Sequence, residues 1–178
     1  MKILIISLPR CGSTSLMGSL SQKYGLDEIF EPWNYNRVRL QYESSKPNIV
    51  LKTIVDQHPK EVTPDRSLNW LKTLTKEFDE TILLSRKDLK SCAESWAYLN
   101  FHKKTHNSLE KYYYIDPPNL EWAINDIEIK NKKLVTLSKE INIPITYYED
   151  IFNPLSSNRL RQKSRESIVI KKEDITLI

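Results

Sequence analysis

Arg10, Gly12 and the hydroxyl run Ser13-Thr14-Ser15 follow directly on an apolar stretch that begins at Ile3, and together they have the makings of an anion site. A strand that turns sharply into a helix aims the first backbone N–H groups, and the positive end of the helix dipole, at whatever sits above the turn. Arg10 adds a full cation and the three hydroxyls add neutral donors, so the ligand this predicts is a phosphate or a sulfate. The spacing is neither the GxGxxG of a dinucleotide site nor the Gly-x-x-x-x-Gly-Lys-Ser/Thr loop of a nucleoside triphosphatase. A plainer reading of the same residues is a helix N-cap after an ordinary apolar strand.

The surrounding pattern supplies elements to hold such a loop. Strand-like apolar runs fall at residues 2–7, 48–53, 80–85 and 145–148, with helical periodicity over 13–24, 67–78, 88–102 and 119–142. Gly25 is placed to stop the first helix and Asp88 to start the third. In the last helix Leu120, Ile124, Ile127, Leu134, Leu137 and Ile141 form one apolar stripe, and its many charges read as a solvated face. Alternating strands and helices predict a three-layer α/β sandwich with a central parallel sheet, as one domain over residues 1–178. A short β-like run is expected at 167–170.

Ligands of open parallel sheets gather at the carboxyl ends of the strands. Three of those ends offer cations: Arg10, Lys52 and Arg86. The run 80–85 is followed by Arg86, where a metal-dependent nucleotidase would carry an Asp for Mg²⁺. A ligand with two separate anionic groups, bound without metal, fits this pattern better than a triphosphate. His102 and His106 have the separation of a metal pair on a helix, but no further ligand completes a set.

At this point the chain resembles the sulfotransferases that use 3′-phosphoadenosine 5′-phosphosulfate (PAPS). Leu8-Pro9-Arg10-Cys11-Gly12-Ser13-Thr14-Ser15 resembles their 5′-phosphosulfate loop, and Ser85-Arg86 with the helix through Ser95 resembles their 3′-phosphate motif. Tyr147-Tyr148-Glu149-Asp150-Ile151 is similar to their Tyr-Glu-Asp-Leu segment, and Phe30-Glu31-Pro32 to an element of the bacterial carbohydrate and Stf0-type members. The matches run in family order from residue 3 to about residue 152. The resemblance implies a P-loop-like sulfotransferase fold and transfer of a sulfuryl group from PAPS to a hydroxyl of a carbohydrate or small-molecule acceptor. The product is adenosine 3′,5′-bisphosphate, and no metal takes part.

Carried onto this sequence, the resemblance assigns cofactor binding to Arg10, Cys11, Gly12, Ser13, Thr14 and Ser15 at the 5′ end, and to Arg86 and Ser95 at the 3′-phosphate. Ser91 is the alternative to Ser95. A basic C-terminal stretch adds Arg161, Lys163 and Ser164, although the family's usual Arg-Lys-Gly pattern is absent. Glu31 is the expected base for the acceptor hydroxyl, with Arg10 and Lys52 stabilising the leaving phosphate oxygen. His58 is the other candidate base, displaced by several residues from the position after Lys52-Thr53 that some members use. Trp33, Tyr35, Trp96, Tyr98, Phe101 and Tyr112-Tyr113-Tyr114 flank the expected cleft and could stack on a ring-bearing acceptor, though aromatics more often pack in cores.

Composition sets the outer limits. Hydrophobic residues at 39% and charged residues at 28% indicate a globular chain rather than a disordered or membrane one. A net charge of +4 suits small acidic ligands and falls short of a nucleic-acid footprint. Two cysteines form neither a disulfide framework nor a zinc set, and Cys11 reads as a packing residue. The apolar start is too short to span a bilayer and lacks a signal-peptide pattern, so a cytoplasmic protein with no membrane partner is expected. The chain is short for the family, which implies a minimal enzyme or one completed by homo-oligomerisation. The competing readings are a small P-loop nucleotide or metabolite kinase, and a nucleotide-binding protein without turnover.

Overall fold

Ile3 to Ile6 and Ile49 to Leu51 have no exposed surface, the signature of strands covered on both faces. The computed structural model describes residues 1–33, 46–102 and 120–152. Its centre is a sheet of five parallel strands: β1 (Lys2–Ser7), β2 (Asp27–Phe30), β3 (Ile49–Ile54), β4 (Glu80–Ser85) and β5 (Ile145–Tyr147). They lie in the order β2-β3-β1-β4-β5. Register is fixed by pairs such as Ile5 with Lys52, Ile5 with Ile82, and Phe30 with Lys52.

The helices are α1 (Ser13–Tyr24), α2 (Ser67–Thr75), α3 (Leu89–His102), α4 (Leu120–Ile141) and a single turn, α5 (Tyr148–Ile151). The chain leaves β1 through α1 for the far edge strand β2, and leaves β3 through α2 for β4 on the other side of β1. Right-handed crossovers then put α1 on one face and α2 on the other. The packing agrees: α1 lies on β1, β2 and β3, while α4 packs against α2, α3 and β4. The result is the expected three-layer α/β sandwich.

α1 has the expected bounds, buries Leu16, Met17 and Leu20, and ends where Gly25 takes a φ of 66°. α3 begins after Asp88, whose carboxylate accepts from the Ser91 backbone N–H at 3.0 Å and from its hydroxyl. Those two bonds, the hydroxyl first, hold the Asp88 carboxyl below the usual carboxylate range. The edge strand β2 is an addition to the sequence pattern, which placed no strand there. Only Ile29 among its four residues is buried, so it carries no apolar run. In α4 the buried stripe is Ala123, Ile127, Lys130, Leu134 and Leu137, and the lysine in it departs from the expectation that the charges are solvated. No helix among the described residues is long and apolar enough to cross a membrane.

Candidate functional site

The chain turns back at the carboxyl rim of the sheet, where α1 leaves β1 toward β2 and α3 leaves β4 toward β5. Diverging connections of this kind open a crevice between adjacent strand ends. The loop after β1 is tied to both neighbouring strands: Leu8 N–H donates to Leu84 O at 3.2 Å, and Val55 N–H to Ser7 O at 3.0 Å. Within the loop Arg10 and Gly12 have φ of 64° and 83°, left-handed values that turn the chain tightly into α1. Gly12 is the N-cap and provides no side-chain cap bond, and the first turn of α1 holds no acidic residue. The positive end of the helix is therefore not neutralised by its own sequence.

The predicted loop residues divide. Cys11 is fully buried, its thiol donates to Leu8 O at 2.9 Å, and burial pushes its pKa up, so only its backbone can face a ligand. Ser13 is also buried, whereas Thr14 and Ser15 are exposed at the start of the helix. Arg10 reaches across 85 positions of sequence, and its Nε donates to Ser95 Oγ on α3 at 2.8 Å. The two residues assigned to opposite ends of the nucleotide thus meet directly. Cys92 packs beneath, its thiol pointing at Arg10 O at 3.9 Å and pushed up to about 12 by burial.

Arg86, just past β4, pairs through Nε with Glu149 at 3.5 Å and lies over the Tyr148 ring at 5.2 Å. The Ser91 hydroxyl donates to the Asp88 carboxylate that caps α3. Burial pushes the Glu149 carboxyl up, but the backbone N–H of Lys87, with further backbone donors and Arg86, outweighs this and holds it below its ordinary value. A guanidinium keeps two amino groups besides Nε, so this pairing orients the planar fork and does not exhaust its donors. The Tyr148 ring stacks on Phe152 at 4.7 Å and covers Gly12 so closely that a Cβ there would lie 2.4 Å from it. Tyr148 thereby connects Arg86 to the anion loop.

A second group of predicted residues assembles at the ends of β2 and β3. Glu31 and Lys52 form a buried ion pair through Oε1 and Nζ. Lys52 also lies over the Phe30 ring at 4.2 Å. Glu31 N–H donates to Lys52 O at 2.8 Å, extending the β2–β3 ladder, and its φ is 44°. Its second oxygen accepts from Gln57 Nε2 at 3.0 Å. His58 meets Pro59 O through Nδ1 at 3.0 Å.

Lys130 of α4 is bonded to Asp126 one turn earlier and, at 2.9 Å, to Asp56, the residue before Gln57. Trp96 Nε1 donates to Asp126 at 2.9 Å. Trp33 packs edge-on to Trp70 with ring centroids 4.5 Å apart, and Trp96 similarly to Trp122. Gln57 and Lys130 escaped the sequence reading. Nothing in the turn around Gln57 marks it, but Lys130 sits between Ile127 and Leu134 on the apolar stripe, and that position was a usable signal. The expectations for Arg161, Lys163, Ser164, Tyr35, Tyr112 to Tyr114 and a strand at 167–170 lie outside the described residues, as do those for the side chains of Tyr98 and Phe101.

No protein-family model matches this chain, and no curated protein does. Among solved structures it is similar to the YorR protein of Bacillus subtilis, crystallised in complex with phosphorylated GDP. That likeness has 10% sequence identity and a TM-score of 0.46, over 83% of this chain and 84% of the other.

Proposed function

We propose that the rim binds the phosphorylated nucleotide PAPS and that the chain is a sulfotransferase acting on a hydroxyl-bearing carbohydrate or small molecule. The observation that supports this reading best is the meeting of Arg10 with Ser95 beside the un-neutralised start of α1. Arg86, at the end of the neighbouring strand β4, is linked to the anion loop through Tyr148 and Gly12. The backbone N–H groups at the start of α1, Arg10 and the exposed hydroxyls of Thr14 and Ser15 hold the 5′-phosphosulfate. Arg86 and Ser95 take the 3′-phosphate.

In the reaction the acceptor oxygen bonds to sulfur, the bond from sulfur to the 5′-phosphate oxygen breaks, and Glu31 takes the hydroxyl proton. Arg10 and Lys52 stabilise the charge left on the departing oxygen. Sulfuryl transfer resembles phosphoryl transfer in its loose transition state, so positioning and fixed charge supply most of the rate.

Calorimetry with adenosine 3′,5′-bisphosphate, ATP and GTP, each with and without Mg²⁺, tests the reading. Metal-independent preference for the bisphosphate is expected. Metal-dependent preference for a triphosphate would instead make the chain a small nucleotide or metabolite kinase, and bisphosphate binding without consumption of PAPS would make it a nucleotide-binding protein without turnover.

A further inference from the structure

Gln57 lies in the turn after β3, where its backbone N–H donates to Ile54 O at 2.9 Å. Its side-chain carbonyl accepts from the Ile54 N–H at 3.1 Å and from the Thr53 hydroxyl at 3.3 Å. A backbone N–H can only donate, so the amide has one sensible orientation: oxygen toward Ile54 and the NH₂ toward Glu31. Glu31 Oε2 thus faces a fixed donor at 3.0 Å while Lys52 Nζ occupies Oε1.

This arrangement has two chemical consequences. Both carboxylate oxygens are fixed in the ionised, acceptor-only form that a base needs before turnover. The amide cannot carry a proton onward, because its oxygen is already bonded to the backbone and its nitrogen has no basic lone pair. A proton that Glu31 gains must stay on Glu31 or pass elsewhere than through Gln57.

We infer that Gln57 is a positioning residue, which orients the Glu31 carboxylate for proton abstraction without touching the substrate. The role in turnover rests on the sulfotransferase reading above, whereas the hold on Glu31 does not.

The test uses the full chain and hydrolysis of PAPS, with water as acceptor: the water oxygen bonds to sulfur, the bridging S–O bond breaks, and sulfate, ionised adenosine 3′,5′-bisphosphate and two protons result. Gln57→Met keeps the volume and removes the donor. It is expected to lower kcat about tenfold or more while leaving KM for PAPS and bisphosphate affinity within about twofold, the pattern of an interaction felt in the transition state. Gln57→Glu, which sets a carboxyl against Glu31, is expected to lower kcat further. An unchanged kcat in both variants overturns the inference.

If the unaltered protein neither binds the bisphosphate nor hydrolyses PAPS, the sulfotransferase reading fails, and a second measurement judges Gln57 alone. The carboxyl ¹³C resonance of Glu31, followed through an acid titration, should move its midpoint to higher pH in Gln57→Met, because one donor to the ionised form is lost. A midpoint that does not move overturns the inference by itself.

Discussion

Arg10 and Glu31 are two of the three described non-glycine residues with positive φ, the other being Asn142 at the end of α4. Such conformations cost about 1–3 kcal/mol each and persist only where surrounding contacts enforce them. The enforcing contacts here are the Arg10–Ser95 bond and the Glu31–Lys52–Gln57 network. Glu31→Gln is expected to abolish PAPS turnover while bisphosphate affinity, read by calorimetry, stays within about twofold. Arg86→Lys loses the planar fork and should weaken bisphosphate binding about tenfold, with ATP binding less affected. Glu149, the partner of Arg86, has a pH window. Because the Glu149 carboxyl is held below its ordinary value, its contribution to stability is complete above about pH 4.3, the unfolded glutamate value. It disappears as pH falls through the lower folded value, and unfolding followed by circular dichroism should show that loss in the wild type but not in Glu149→Gln.

Lys130 shows how one helix can serve two neighbours. Its side chain is 9% exposed, yet it joins Asp126 on its own helix to Asp56 in the turn that also carries Gln57. Removing the cation leaves two carboxylates that are each about one-third exposed and can be rehydrated. Lys130→Met should therefore cost about 1–2 kcal/mol in urea unfolding, below the 3–5 kcal/mol typical of breaking a fully buried pair. The bounds of α1, α3 and α4 were legible because Gly25, Asp88 and the apolar periodicity mark them. β2 was not, since a four-residue edge strand with one buried side chain leaves no pattern to read. The individual cations of the site could be named from their positions after apolar runs. Their partners could not: Glu149 faces Arg86 from 63 positions away, and only the folded sheet brings the two together.

The strand order puts β1 at the centre, paired along its length with β3 and β4. Amides of residues 3–6 should accordingly exchange with deuterium last, near the rate of global unfolding, while those of the edge strands β2 and β5 exchange earlier. This order could not be read from alternation of strands and helices, which fixes the fold class but not which strand lies beside which. It also means that the anion loop springs from the central strand, whereas Glu31 follows an edge strand. The Tyr148 ring over Gly12 carries a separate implication for how this chain can vary. The space on the Cβ side of Gly12 is already filled by that ring, so the two positions are matched in size, and glycine at 12 is demanded twice, by its φ of 83° and by the ring. In a library randomised at both positions and selected for folding, asparagine, which tolerates left-handed backbone, should appear at 12 only together with alanine or glycine at 148.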